Sequence, residues 1–544
     1  MQITIPHGLA SSSFALSSPV FLCVLCASVV NHSSLLSAPP AVTYLFPAGG
    51  QRGTAVEVTA AGSFERWPVR AWVSGHGVTA TPGKDKGKLT VTVAADAEPG
   101  TRWVRLFDEQ GASAPRPFLV GTLPEVAEQE PNDDPKHPQV LPGPAVTVNG
   151  RLGKPGDVDC FAVTCRQGQT LVADLEANST LRSPMDAVLQ VVSPDGFVLA
   201  ENNDFRGLDP RIVYPVPHDG TYVVRTFAFP ATPDSSIRFA GAENYVYRLT
   251  VTTGGFADYP VPLAVARAAP GAVDLVGWNL PDAARRLPVP VPEVGDEATL
   301  AHPALANRVR VRLEPHPCVV RPSGAGPFAV TPPVSVTARL DRPGAADVYR
   351  IAAKKGQRLT VQAQSRALGL PVAGVLRLTD EAGKELVRAE PAGLDKDAEL
   401  AFTPPTDGAY LLTVRDQFGG GGPRSAYLLR VAPDEPDFTL ALKSDRFTLA
   451  AGQALDVPVA VTRRGFTADI ELSVEGLPPG VRAAVTARTP AQITLRLTAA
   501  ADVSWSGPIR IVGRGGPVAS RLATATPADG GEPIADLWLT VPRK

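Results

Sequence analysis

Between residues 128 and 134 the chain reads Glu-Gln-Glu-Pro-Asn-Asp-Asp, setting the carboxylates of Glu128, Glu130, Asp133 and Asp134 and the amide of Asn132 side by side. Like charges at that density repel one another unless something neutralises them, and Pro131 stiffens the segment. Asp157 and Asp159 follow at alternate positions, so on a strand both carboxylates project from one side. Oxygen donors in this number suit calcium, a hard cation that takes about six to eight oxygens at roughly 2.3–2.6 Å. Asp186 with Asn202, Asn203 and Asp204 makes a weaker set of the same kind. The competing reading of Glu130 to Asp134 is a solvated acidic linker, which is what charge runs usually are.

Other chemistry is hard to find. No His-Glu-x-x-His, Gly-x-Ser-x-Gly or Gly-x4-Gly-Lys-Ser/Thr occurs. The seven His are scattered: His76 lies in Ser74-Gly75-His76-Gly77, read as a hairpin tip, and His137, His302 and His316 stand beside prolines. A Ser-His-Asp set can assemble from distant positions, but no stretch of the chain reads as a peptidase core. Trp72 and Trp103 lie in apolar alternation and read as core residues rather than as ligand-facing aromatics.

The elements that must hold the acidic residues are legible from repetition. At an offset of 188, Arg151-Leu152-Gly153-Lys154-Pro155-Gly156 meets Arg339-Leu340-Asp341-Arg342-Pro343-Gly344, and Asp159 meets Asp347. Gly168-Gln169 meets Gly356-Gln357, and Asp219-Gly220-Thr221-Tyr222 meets Asp407-Gly408-Ala409-Tyr410. Four motifs at one offset mark an internal duplication. Within each copy the content is that of a β-sandwich with about eight short strands. Leu171, Ala173 and Leu175 alternate with polar positions, and Leu189–Val192 and Phe197–Leu199 flank a turn in which Gly196 supplies positive φ.

The series Glu130-Pro131-Asn132-Asp133, Asp157-Val158-Asp159, Gly168-Gln169, Pro194-Asp195-Gly196 and Asp219-Gly220-x-Tyr222 resembles the bacterial pre-peptidase C-terminal domain. That family is a jelly-roll-like β-sandwich found beside secreted peptidases, and it is similar to the collagen-binding domains of clostridial collagenases. The resemblance covers residues 122–255 well and 326–433 less well. It implies a calcium ion held by Glu128, Glu130, Asn132, Asp133, Asp157 and Asp159 in the first copy. In the second, Ala345-Ala346-Asp347 replaces Asp157-Val158-Asp159, and Gly326-Pro327-Phe328 stands where the acidic lead-in is expected, so no ion is expected there.

Around the two copies, Gly53-Thr54-Ala55-Val56-Glu57-Val58 resembles Pro270-Gly271-Ala272-Val273-Asp274-Leu275. The stretch from about Phe438 looks like the immunoglobulin-like modules that end many exported bacterial proteins. The expected order is an export signal or anchor (1–38), an Ig-like sandwich (39–121), the first pre-peptidase-like copy (122–255), a small Ig-like module (256–325), the second copy (326–433) and a last Ig-like sandwich (434–544). This arrangement resembles large exported proteins of planctomycete-type bacteria.

The apolar run from Phe14 to Val30 has the length of a signal h-region and is marginal for a membrane span. No later segment could span a membrane. Composition agrees with all-β architecture: 49 Gly and 55 Pro make about 19% of the chain, well above the globular average. With 52 basic and 54 acidic residues, no cationic stripe for nucleic acid is present. Cys160 and Cys165 are separated by about 16 Å of extended strand, beyond disulfide reach.

Three functions fit: an exported, non-enzymatic spacer or adhesion protein with a calcium-stabilised module, located in the periplasm, on the cell surface or outside the cell; a binding module for collagen-like or polysaccharide polymer; or an accessory of a secreted peptidase. Fold analogy alone cannot choose among them.

Overall fold

Along Gln492–Ala499, Ile493, Leu495, Leu497 and Ala499 are buried while the residues between them face outward. This period-2 alternation, repeated through the chain, is what a sheet with one face on a core requires. The computed structural model describes residues 38–543 apart from 194, 236, 237, 293, 294, 325, 394, 395, 517 and 529. The apolar segment read as an export signal or anchor lies outside the described residues, as do Cys23, Cys26 and Pro194. The protein is all-β, 54% strand and 2% helix, and the one α-helix among the described residues is the single turn Asn178–Leu181.

Among the described residues five large apolar cores follow one another, built from residues between Val42 and Val120, Leu141 and Val251, Ala257 and Leu313, Val330 and Val431, and Phe438 and Val541. Residues 38–544 nevertheless form one compact unit.

The duplication is complete at the level of topology. In the first copy one sheet runs Gln139–Val140, Asp159–Cys165, Gly220–Pro230, Met185–Val192, Val198–Asn202; the other runs Arg211–Pro215, Thr170–Glu176, Val246–Thr252, Ala145–Arg151, Glu125–Ala127. The second copy has the same two orders, Phe328–Val330, Ala346–Ala353, Gly408–Asp416, Gly374–Thr379, Glu385–Ala389 and Ala398–Phe402, Leu359–Gln364, Ala426–Pro433, Val334–Arg339, Cys318–Val320. Among the described residues each copy therefore has ten strands where eight were expected, because two short lead-in strands pair in parallel with the edges. The second lead-in, Cys318–Val320, pairs with Ser335–Thr337, so this sandwich reaches back before residue 326.

Shared details explain the repeated motifs. The Tyr222 and Tyr410 hydroxyls donate to the backbone oxygens of His218 and Thr406, at 3.0 and 2.8 Å. Asp219 and Asp407 accept from the backbone N–H of Gln167 and Lys355, at 2.7 and 2.6 Å, closing the turn before the next strand. Asp209 and its counterpart Asp397 each accept three consecutive backbone N–H groups, those of residues 177–179 and 365–367. Sequence reading had not singled out that pair, although it keeps the same offset.

The first and third cores open alike. Ala41–Phe46 pairs with Ala55–Ser63, and Phe256–Val261 with Ala272–Trp278, each with a bulge. At that bulge Gly62 and Gly277 lie so close to the facing backbone that a Cβ would fall about 2 Å from the oxygens of Ala41 and Phe256. Residues 74–77, read as a hairpin tip, instead link Arg70–Val73 to Val78–Pro82, which lie in different sheets.

The first and last cores meet. Arg105, fully buried, pairs with Asp445 at 2.8 Å and donates to the Asp536 carbonyl at 3.2 Å, across 431 residues of sequence. Trp538, 1% exposed, packs its ring 5.9 Å from that of Trp72 and 4.7 Å from that of Phe107. Trp72 was expected in its own module's core; its ring instead reaches another module.

Candidate metal centre

Three pieces of the first copy converge on the acidic residues: the segment after Glu125–Ala127, the turn after Ala145–Arg151, and the start of Asp159–Cys165. Pairing positions the first piece, since Glu128 N–H donates to the Asn149 carbonyl at 3.0 Å and Cys160 N–H to the Asn132 carbonyl at 3.0 Å. The segment is thus knitted to both sheets and is not a free linker.

Carboxylate oxygens of Glu128, Glu130 and Asp159 all lie within 4.8 Å of one another, and so do those of Glu130, Asp133 and Asp157. Glu130 belongs to both groups. Asn132, Asp157 and Asp159 are buried, each at 1% exposure or less. Tyr247 donates its hydroxyl to Asp159 Oδ2 at 2.6 Å, Arg151 N–H donates to Glu128, and Gly153 N–H donates to Asp157 Oδ2 at 2.5 Å. Asp157 lies in the turn before the strand, which begins at Asp159. It joins the cluster because the turn folds over, not because the two aspartates alternate on one strand face.

The electrostatics are strained. Burial, then repulsion from Glu130 and Asp157, pushes the Glu128 carboxyl up to about 7. Burial, with Glu128 and Asp157 as neighbours, holds Asp159 well above the usual carboxylate range, and burial raises Asp157 as well. The nearest ammonium, Lys154, stands 3.6 Å from Asp157 and 3.8 Å from Asp133 on a largely exposed side chain. Lys154 and the Arg151 guanidinium, which acts on Glu128, are fewer than the five carboxylates they face.

Do these residues fit a calcium ion? Asp157 Oδ1 is buried and accepts no hydrogen bond. One end of the Asn132 amide lies 3.0 Å from Asp159 Oδ1 and 3.3 Å from Glu130 Oε2; its nitrogen there would donate to both, and its oxygen there would complete an all-oxygen set. Gly150 makes the approach possible, because a Cβ on it would fall 2.2 Å from the Tyr247 ring and 2.7 Å from Glu128 Oε2. Donor type and number fit a hard cation. The six residues that the resemblance implied fall into two groups sharing Glu130: Glu128, Glu130 and Asp159 with the Asn132 amide on them, and Glu130, Asp133 and Asp157. Of the weaker set, Asp186 and Asp204 lie close enough for repulsion from Asp204 to add to burial in raising the Asp186 carboxyl, while Asn202 Oδ1 accepts the Arg211 N–H at 3.0 Å. Gly150 and Tyr247 carried no sequence signal as site residues.

Cys160, Cys165 and Cys318 are free thiols. Cys165 faces the sandwich core, while Cys160 packs with Val192 and Val223 in a separate apolar cluster. Among the described residues no helix is long and apolar enough to cross a membrane.

No family model matches the chain. Over 71 residues it is 38% identical to a probable subtilase-type serine protease of Deinococcus radiodurans, a match covering 13% of this chain and 10% of that protein. The pre-peptidase C-terminal domain of a Bacillus anthracis collagenase aligns at 16% identity over 20% of this chain and 99% of its own, with a TM-score of 0.17. The insect immune protein hemolin aligns at 11% identity over 90% of this chain and 100% of its own, with a TM-score of 0.22. At such scores these structures carry nothing about ligand or activity.

Proposed function

We propose that this is an exported, non-enzymatic modular protein of the periplasm, cell surface or extracellular space, acting as an adhesion or binding body whose first pre-peptidase-like sandwich is rigidified by calcium. The boundaries 39–121, 122–255, 256–325, 326–433 and 434–544 belong to this reading, the fourth extended back to the strand at Cys318. One observation carries the calcium part: Glu128, Glu130, Asp133, Asp157 and Asp159 are drawn together in a partly buried cluster on which Lys154 and Arg151 act as the offsetting cations. If calcium is bound, it supplies the missing positive charge and locks the lead-in segment to both sheets.

The contact between the first and last cores favours a binding or adhesion body over a spacer. A spacer draws its use from length, and modules 39–121 and 434–544 joined by Arg105–Asp445 and by Trp72–Trp538 give length up. Collagen-like or polysaccharide polymers are the candidate ligands. The 71-residue match to a subtilase-type protease supports a second reading, an accessory of a secreted peptidase.

Calorimetric titration of the full chain with calcium tests the first reading. One site that disappears in Asp159→Ala is expected; no heat and no change in proteolytic resistance would remove calcium from the account. Retention of the chain on collagen or polysaccharide resins, compared with retention on an immobilised peptidase, separates polymer binding from the accessory role.

A further inference from the structure

The two sandwiches solve the same electrostatic problem in different ways. Superposing their hydrogen-bond registers, rather than their sequence offset, shows which residues correspond. Glu125–Ala127 pairs with Thr147–Asn149, and Cys318–Val320 with Ser335–Thr337. The next residue in each case closes the register, Glu128 N–H onto the Asn149 carbonyl at 3.0 Å and Arg321 N–H onto the Thr337 carbonyl at 2.9 Å. Asn149 and Thr337 are 188 residues apart, but Glu128 and Arg321 are 193 apart, because the segment after the second lead-in is shorter. The residue standing where the first copy has Glu128 is therefore Arg321, and not any residue of Gly326-Pro327-Phe328.

Its side chain turns inward. The Arg321 side chain is 7% exposed and its guanidinium lies 2.9 Å from Asp347 Oδ1, the counterpart of Asp159. Asp347 Oδ2 accepts the Tyr427 hydroxyl at 2.6 Å, as Asp159 Oδ2 accepts that of Tyr247 at 2.6 Å. The remaining acids of the first site are gone, with Ala345 at the place of Asp157. Arg321 and Arg339 face Asp347 and Asp341, two cations to two carboxylates, whereas five carboxylates outnumber Lys154 and Arg151.

We infer that the second sandwich carries its cation as a side chain: the Arg321 guanidinium occupies the place that the first sandwich leaves to a metal ion, and the residue type at this one register position decides whether a copy needs metal. Arginine suits the role because it stays charged when buried and presents a fixed fork of donors to a carboxylate. Removing it leaves Asp347 buried without its charge partner, which costs far more than a surface pair would.

The inference rests on the calcium reading above, and the test keeps the two apart. Full-chain protein is assayed with calcium or terbium, with and without chelator, and limited proteolysis is mapped to residues 122–255 and 318–433. In the wild type, chelator should speed cleavage within 122–255 by about tenfold and leave 318–433 unchanged, since cleavage tracks the open population. Glu128→Ala should lose terbium binding and be cleaved fast under all conditions. Glu128→Arg should also lose terbium binding yet stay resistant, indifferent to chelator. Arg321→Met should open 318–433 by about tenfold, with calcium giving no rescue. A wild type indifferent to calcium, terbium and chelator overturns the underlying reading. A calcium-responsive wild type in which Glu128→Arg is as fragile as Glu128→Ala, and Arg321→Met is as resistant as wild type, overturns this inference alone.

Discussion

Replacing Asp445 with leucine should loosen the junction between the first and last modules. Arg105 is fully buried, so the substitution strands a guanidinium whose hydrogen bonds run only to the Ser113 carbonyl at 2.9 Å and the Asp536 carbonyl at 3.2 Å. Breaking a buried ion pair from one side costs about 3–5 kcal/mol, whereas replacing both partners with apolar residues is close to neutral. At 1.36 kcal/mol per tenfold, the single substitution should raise the open population of the junction by roughly 10²–10⁴-fold. The double variant, Arg105→Met with Asp445→Leu, should return near the wild-type value. With five cores in one chain, a global melting curve does not report a single transition, so a local measurement is needed. Hydrogen exchange at Trp538 is suitable, because its backbone N–H, which donates to the Asp445 carbonyl at 2.8 Å inside the last module, lies beside the ring that packs on Trp72 and Phe107. Exchange in the single variant no faster than in the double would refute the reasoning, since the stranded charge would then carry no penalty. Unchanged exchange in both would mean that the Trp538 contacts with Trp72 and Phe107 hold the junction unaided.

Calcium affinity should weaken as pH falls below about 7, because the Glu128 carboxyl pushed up to about 7 must lose its proton before it can ligate. The metal-free chain should show the opposite trend: a carboxyl raised in the fold stabilises it below its unfolded value and withdraws that stability as pH climbs through about 7, which proteolysis at fixed ionic strength would detect. Gly150→Ala should abolish calcium binding while leaving the other modules intact, as judged by calorimetry beside module-resolved hydrogen exchange, because its methyl collides with Tyr247 and Glu128. Asp209→Ala should destabilise the first sandwich by about 2–3 kcal/mol and speed exchange at residues 177–179, whose N–H groups it accepts. Burial pushes the Cys160 and Cys165 thiols up to about 12 and about 11, so neither should react with a disulfide reagent at pH 8 until the chain is unfolded.

The sequence by itself determined the all-β class, the duplication and the place of the acidic site. Strand class was legible because alternation and turn residues act locally, and the duplication because Asp219 and Asp407 close the same turn at one offset. The acidic cluster was legible because four of its six residues are neighbours in the chain. Tertiary structure alone decided the rest. Asp157 reaches the cluster through a turn whose path alternation does not describe. Arg321 was hidden because hydrogen-bond register, not sequence offset, fixes correspondence, and the two lead-in segments differ in length. The junction of Arg105 with Asp445, and of Trp72 with Trp538, leaves no local trace: each side chain is chosen by a partner several hundred residues away, and only the fold brings the two within contact distance.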